Sequence, residues 1–554
     1  MCFIVYNIRL MASHYKWYPG SEEVVVPWNA RYSFPSQANK ALKLTPRIPP
    51  KNGAIFTPGQ VIRLEFPAQG YVNASNTTLE FDVTLSAYGT AGNDITRFQN
   101  NIQSIFNRVR LLYGATPLED IINYNVIVRA LTEWTGTGQQ GVMDQESIAD
   151  GIGGVTVGLG GGATSSYVMG LANVRQKFIQ GIDNSAQSAP AAFLGSGFAT
   201  VPNTFAANGA TVNLAASTCT RRYSVNLALG LFTQDKLIPT KFMASQLAIE
   251  ITLENADYAL ITFPGTASGA NPTYTVTNVN LIPEILEFDA SYDAMFLRGL
   301  REGGVPIKFS SWHTFIFSTG LAANINLLVQ ERSRSVKALF CVQRRSPGSR
   351  FTDSHATIFD SAAYLSGGST MQSYQWRIGG RYFPAAPVQL SNVVGGTISN
   401  GGSEAYVELE KALNIVGDYR LSTGLNAMKW AIPAAIATIT PTGGLATALP
   451  ELDYFAGVTA WTSGAPSYLA VTAARATTNG NCFSGEVGSC AYASAVSLET
   501  SNGIEISGLN AEEQSDIAFI ANWSQAQLAF NLEVYSYYDA MIILRENNVL
   551  ELIQ

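Results

Sequence analysis

The sequence predicts an all-β chain folded as two tandem β-sandwiches. Three observations carry that prediction. Apolar and polar residues alternate at period two wherever a pattern is clear, helical periodicity is confined to two short stretches, and one succession of elements occurs twice along the 554 residues. The length exceeds one ordinary domain and suits two β domains of about 250 residues each.

The elements can be taken in chain order. MCFIVYNIRL has too short an apolar core for a secretory signal. Met11 opens MASHYKW, which reads as a natural start, leaving residues 1–10 as an upstream extension or a flexible arm. NTTLEFDVTL places Leu79, Phe81, Val83 and Leu85 on one side and Thr78, Glu80, Asp82 and Thr84 on the other, a strand with one face to a core. A Gly/Pro hairpin follows in NRVRLLYGATPLEDI (Asn107–Ile121), then a short helix over Tyr124–Trp134 and a long Gly/Ala/Thr/Ser-rich stretch over about 135–220. After the turn LALGLFTQDKLIP, SQLAIEITLE sets Leu247, Ile249, Ile251 and Leu253 opposite Ala248, Glu250, Thr252 and Glu254, and the half closes on LEFDASYDAM.

The second half repeats this order: a strand at 336–343, the hairpin YQWRIGGRYFPAAPVQL (Tyr374–Leu390), a helix at Ser403–Asn414 and a low-charge stretch over about 419–500. Ser403 is placed to cap that helix, with glutamates early in it. The turn ISGLNAEEQSDI, a strand at 527–535 and LEVYSYYDAM complete the match. The tetrapeptide YDAM thus occurs at Tyr292–Met295 and at Tyr538–Met541, and gains weight only as the last member of two matching series. About eight strands per unit, with in/out alternation, favour a jelly roll, and the two long excursions are expected to carry small β elements. The predicted organisation is an N-terminal arm at 1–27, a first jelly roll at 28–292, a connector at 293–304 and a second jelly roll at 305–554. FLRGLREGGVPIKF after Met295 is compatible with a helix, whereas IILRENNVLELIQ after Met541 reads as a strand, an Asn-rich turn and a last short strand.

Several stretches resemble the double jelly-roll major capsid proteins of the adenovirus–tectivirus lineage, in particular those of virophages and polinton-like viruses. They are SIFNRVRLLYGATPLEDIINYNVIVRALTEW, LGLFTQDKLIPTKFMASQLAIEITLENADYAL, GGVPIKFSSWHTFIF and SYQWRIGGRYFPAAPV, in the family's order over nearly the whole chain. The resemblance implies a structural role: pseudo-hexameric homotrimers that build an icosahedral shell around a genome. It also implies strands roughly perpendicular to the capsid surface, tower-like loops and an N-terminal arm beneath. The implied partners are neighbouring capsomers, penton proteins and minor capsid or cement proteins, and the implied location is the virion.

Composition points the same way independently. Only 14% of residues are charged, against 47% apolar, and such a sparsely charged, neutral-polar surface suits extensive self-association. A net charge of −7 argues against sequence-specific nucleic-acid binding. The one basic stretch, with Arg332, Arg334, Lys337, Arg344, Arg345 and Arg350, reads as a strand with solvated ends, or else as an interface for an acidic partner or nucleic acid. Cys2, Cys219, Cys341, Cys482 and Cys490 form no disulfide framework, which favours synthesis inside a cell. Cys482 and Cys490 could bridge a small loop, and two free thiols are the other reading. No apolar run reaches about 18 residues, so no membrane span is predicted.

Enzymatic chemistry finds little footing, and no catalytic, cofactor or metal residues are assigned. His14, His313 and His355 lie at no metal or catalytic spacing, and His313 reads as a strand residue with a satisfied ring. Gly151–Ser166 lacks the Gly-Lys-Ser/Thr ending of a phosphate loop and reads as a flexible loop. Glu287, Asp289 and Asp293 fall on the polar side of one strand pattern and Glu533 and Asp539 on that of another, a solvated or interface face. Paired acids on a sandwich keep one alternative open, a secreted protein that binds or cleaves carbohydrate. Asn510–Asp516 reads as a polar turn rather than a cation loop. Asn73, Asn76 and Asn522 match the glycosylation pattern but stay unmodified in a cytosolic product. Trp17, Trp28, Trp312 and Trp376 read as core or intersubunit packing.

Overall fold

A computed structural model describes residues 41–86, 95–98, 102–135, 158–161, 165–168, 219–263, 273–319, 322–345, 364–365, 369–390, 393–394, 397–398, 403–415, 492–499, 507–514, 516–523, 530–545 and 550–554. Leu42–Gln554 forms one compact unit and Met1–Ala41 a separate one. The predicted arm at 1–27 and most of both predicted loop insertions lie outside the described residues.

The first roll comprises β1 (Ala41–Leu44), β2 (Ile55–Phe56), β3 (Val61–Glu65), β4 (Tyr71–Ser86), β5 (Ile95–Phe98), β6 (Phe106–Tyr113), β7 (Thr116–Ile122), β10 (Cys219–Val225), β11 (Leu247–Leu253), β12 (Leu260–Phe263) and β13 (Thr273–Phe288). One sheet runs β1-β13-β4-β10, with β2 also on β13, and the other runs β3-β11-β6-β7. Its strand pairs are antiparallel. Inside the first long insertion, β8 (Gly158–Gly161) and β9 (Ser165–Val168) form a hairpin, a small β element of the kind expected there.

The second roll repeats this topology with β14 (Val305–Thr319), β15 (Asn324–Val329), β16 (Val336–Arg345), β17 (Tyr364–Leu365), β18 (Ser369–Ile378), β19 (Arg381–Gln389), β22 (Ser494–Ser497), β23 (Ile517–Trp523), β24 (Phe530–Leu544) and β25 (Leu550–Ile553). The order β14-β24-β16-β22 mirrors β1-β13-β4-β10, and β15-β23-β18-β19 mirrors β3-β11-β6-β7. A small hairpin of β20 (Val393–Val394) and β21 (Thr397–Ile398) follows β19. Among the described residues helices are few: α1 (Tyr124–Thr135) after β7, α2 (Gly230–Thr233), α3 (Ala256–Ala259), α4 (Ala290–Glu302) between the rolls, and α5 (Ser403–Ala412) after β19 and its hairpin. α1 and α5 therefore occupy matching places in the two rolls.

The topology corrects one part of the sequence matching. The sequence pattern matches the strand at 245–254 with that at 527–535, yet β11 corresponds to β23, and β24 corresponds to β13. The reason is local: QLAFNLEVYSY alternates like SQLAIEITLE, while the true equivalent, IAFIANW, is a short run without clear alternation. The YDAM copies consequently differ in structure. Tyr292–Met295 lies in the first turns of α4, where Asp289 caps the helix by accepting from the Tyr292 backbone N–H at 3.1 Å. Tyr538–Met541 lies within β24. Asp289 and Asp293 thus belong to a helix start rather than to the polar side of a strand.

Aromatic packing holds α4 to the first roll. Tyr71 meets Phe288, Tyr292 and Phe296 edge-on at ring-centroid distances of 5.2, 5.4 and 5.5 Å. The Tyr71 hydroxyl donates to Asp293 at 2.9 Å, and Lys241 pairs with the same carboxylate at 2.5 Å. The helix ends at Gly303 and Gly304, and the second has φ of 89°, a left-handed turn that glycine adopts without strain and that leads straight into β14.

Candidate functional site at the seam between the rolls

The two rolls share a core. Roll-one residues such as Leu118, Ile121, Ile127 and Trp134 belong to the same buried cluster as Phe309, Trp312, Phe340 and Ile542 of the second roll. A second cluster, with Leu339, Cys341, Trp376, Phe519, Leu532 and Val534, fills the inside of the second sandwich. Strand alternation explains the split. Along β16, Leu339 and Cys341 point into the second roll while Phe340 and Val342 point at the first. The sheet β14-β24-β16-β22 is therefore buried on both faces, which removes apolar area from water twice and stabilises by roughly 25 cal/mol per Å² covered. Trp134 of α1 stacks on Phe340 at 5.2 Å, and Phe340 also meets Trp312 at 5.6 Å.

Polar contacts fix the register of the seam. Glu119, on β7, is buried and accepts from the backbone N–H groups of Gly230 and Leu231 at 2.7 and 2.8 Å, and from the hydroxyl of Ser311, on β14, at 2.6 Å. Burial pushes its carboxyl above the usual carboxylate range, against the opposing pull of those three donors. Gly230 itself sits so close to β14 that a Cβ there would lie 2.0 Å from the Ser310 carbonyl oxygen. Thr314 donates to the Ile122 carbonyl at 2.9 Å, so the first strand of the second roll follows the edge strand of the first.

A buried ion pair completes the seam. Arg344 and Glu533 pair across β16 and β24, with the Arg344 Nε at 2.9 Å from the carboxylate. Tyr535 donates to Glu533 at 2.5 Å, and Asn123 reaches over from the first roll at 2.9 Å. Asn123 has φ of 52°, a left-handed conformation that asparagine tolerates, and it is the single residue between β7 and α1. Burial works against the charge on Arg344, but Glu533 and its neighbours hold its pKa above the usual value.

The residues singled out in the sequence are absorbed into such structural pairings. Glu533 and Asp539 are buried rather than solvated, at 0% and 7% exposure. Asp539 takes Ser310, Ser335 and Lys337 as partners. Within the basic stretch, Arg344 faces the seam, Lys337 pairs with Asp539 and Arg334 with Glu512, so these side chains are committed inside the chain. His313 lies 3.2 Å from Glu331, and its ring meets that of Tyr538 at a tilt, with centroids 4.0 Å apart. Burial disfavours ionised Glu331, yet His313 together with Ser333 and Ser536 holds its pKa down to about 2. Glu512 and Asp516 of the polar turn pair with Arg334 and Arg377. The amides of Asn73 and Asn76 both donate to Glu284, and Asn522 donates to Ser373. Glu287 accepts from Gln69 at 2.5 Å. Trp312 lies in the seam and Trp376 in the second core. His14, His355, Trp17, Trp28, Arg350, Cys2, Cys482 and Cys490 lie outside the described residues. Among the described residues no group of three or more His, Cys, Asp or Glu is placed to hold a metal ion, and no helix is long and apolar enough to cross a membrane.

Two jelly rolls of the same strand order, in tandem in one chain and fused across a common core, define a double jelly-roll protein, the fold of double jelly-roll major capsid proteins. Among solved structures, the chain is similar to one in the cryo-electron-microscopy structure of the Sputnik virophage, at 10% identity and a TM-score of 0.50, over 96% of this chain and 92% of that one. It is also similar to a chain of the PBCV-1 virus capsid, at 10% identity and a TM-score of 0.48 over 94% and 99%, and to the mavirus major capsid protein, at 10% and 0.41 over 97% and 96%. No protein-family model and no curated protein matches the sequence.

Proposed function

We propose that the chain is a viral major capsid protein, structural rather than enzymatic, that self-assembles as pseudo-hexameric homotrimers into an icosahedral shell enclosing a genome. The observation that carries this reading is the fused pair of like rolls. One chain offers two similar lobes held rigidly by a buried seam, so three chains supply six lobes for a closed ring. The low charge content suits repeated burial between copies. In this reading residues 1–27 are an arm, 28–292 and 305–554 are the lobes, and 293–304 is their connector. Neighbouring capsomers, penton proteins and minor capsid or cement proteins are the partners, and the virion is the location. Size-exclusion chromatography with light scattering tests the assembly step: a stable trimer is expected, and a monomer at every concentration overturns the proposal.

A further inference from the structure

We propose that the face made by β19 and α5 of the second roll docks a second copy of this chain, through the first-roll edge that carries Leu42 and Ile55. The inference rests on the trimeric reading above and adds which surfaces meet.

The argument is the internal repeat. Inside one chain, β14 and the sheet behind it cover β7 and α1 of the first roll. Leu118, Glu119 and Ile121 of β7 are buried, as are Val126, Ile127 and Val128 of α1. The topological equivalents of β7 and α1 are β19 and α5. These equivalents stand open: Arg381, Tyr382, Ala385, Ala386, Pro387 and Gln389 are exposed, with Tyr382 at 48%, and Val407 on α5 at 39%. The equivalent of β14, the covering strand, is the β1 and β2 edge of the first roll. That edge exposes Leu42 at 57% and Ile55 at 67%. Four of the nine large apolar side chains exposed among the described residues thus lie on the two surfaces that the repeat leaves unmatched.

Such a contact is head-to-tail, so it generates a ring if the rotation closes. A second copy supplies the missing cover for each β19 face, and its own β19 face then awaits the next copy. Pro384 and Pro387 lack N–H groups and keep β19 from extending a foreign sheet, so the contact is made by side chains. The first-roll sheet beside Leu42 bears ion pairs, Lys43 with Glu284 and Arg47 with Glu80, where the second-roll sheet carries Phe340 and Val342. The contact between copies is accordingly more polar than the seam within a chain, as befits subunits that fold first and associate later.

The test uses the full chain with Tyr382→Arg or Ile55→Arg, both at exposed positions. Wild type is expected to sediment as a trimer. Each variant is expected to dissociate about tenfold or more readily, with thermal unfolding of the monomer unchanged. Hydrogen exchange on the wild type gives a reading independent of any variant, with slowed amides at 381–389 and 55–56 on association. A trimeric wild type whose variants stay equally trimeric, or whose 381–389 amides exchange alike in monomer and trimer, overturns this surface and leaves the capsid reading standing. A wild type that never associates overturns both.

Discussion

Glu533, on the second roll's long strand β24, accepts the side-chain amide of Asn123, just after the first roll's β7, at 2.9 Å, although 410 positions separate them in the chain. The same carboxylate neutralises Arg344 and receives the Tyr535 hydroxyl. One buried carboxylate therefore joins an ion pair within the second roll to a hydrogen bond from the first. Truncating one partner of a buried ion pair leaves the other charge uncompensated. Glu533→Gln is expected to cost about 3–5 kcal/mol in urea unfolding. Asn123→Gly keeps the left-handed backbone and removes only the amide, with an expected cost of about 1–3 kcal/mol. Equal, negligible effects of the two would contradict the assignment.

Gly230 tests the closeness of the rolls. A methyl group there meets the Ser310 carbonyl oxygen at 2.0 Å, whereas one at Gly303 meets nothing within 4 Å. Gly230→Ala is expected to lower stability by about 1–3 kcal/mol or more through forced separation of the seam, and Gly303→Ala to be tolerated. Thermal melts of the two variants side by side decide the point.

Acid stability follows from Glu331. Its folded pKa, near 2, lies below the 4.5 expected of an unfolded glutamate. The folded state therefore binds fewer protons, and this group's stabilisation is present above about pH 4.5 and is lost as pH falls toward 2. The full effect is roughly 3 kcal/mol. Glu331→Gln is expected to flatten the fall in stability across that window, and an unchanged acid limb would count against the pairing with His313 and Ser333.

Glu119 has the opposite sign. Burial raises its folded pKa, so the folded state holds its proton more readily than the unfolded chain does. Its contribution is most favourable below the unfolded value and declines as pH rises through the raised folded value. Removing the ionisation with Glu119→Gln is expected to reduce that decline in a stability–pH profile that starts at about pH 4.5. A profile whose slope is unaltered would argue that Glu119 is not buried at the seam.

Much of the architecture is legible in particular residues. LEFDVTL, with Glu80, Asp82 and Thr84 between apolar residues, announces one core face and one polar face, and β4 has that form. Its counterpart KALFCVQ lacks the polar alternation because both faces of β16 are covered, and continuous apolarity is the usual mark of a strand buried twice. Continuous apolarity in KALFCVQ is therefore the mark the seam leaves in the sequence. The partners across the seam were not available: alternation says that a face is covered, not that Asn123 or Trp134 covers it. The YDAM repeat shows the converse limit. The same four residues begin a helix after Asp289 and continue a strand between β14 and β16, because capping and flanking strands, rather than the tetrapeptide, decide the local conformation.

The most direct test of the central claim, that this chain is a capsid building block made of two fused jelly rolls, is electron microscopy of the purified protein. The account predicts three-chain particles with a hexagonal outline and six lobes around a closed ring. Separate two-lobed monomers at every concentration would contradict it.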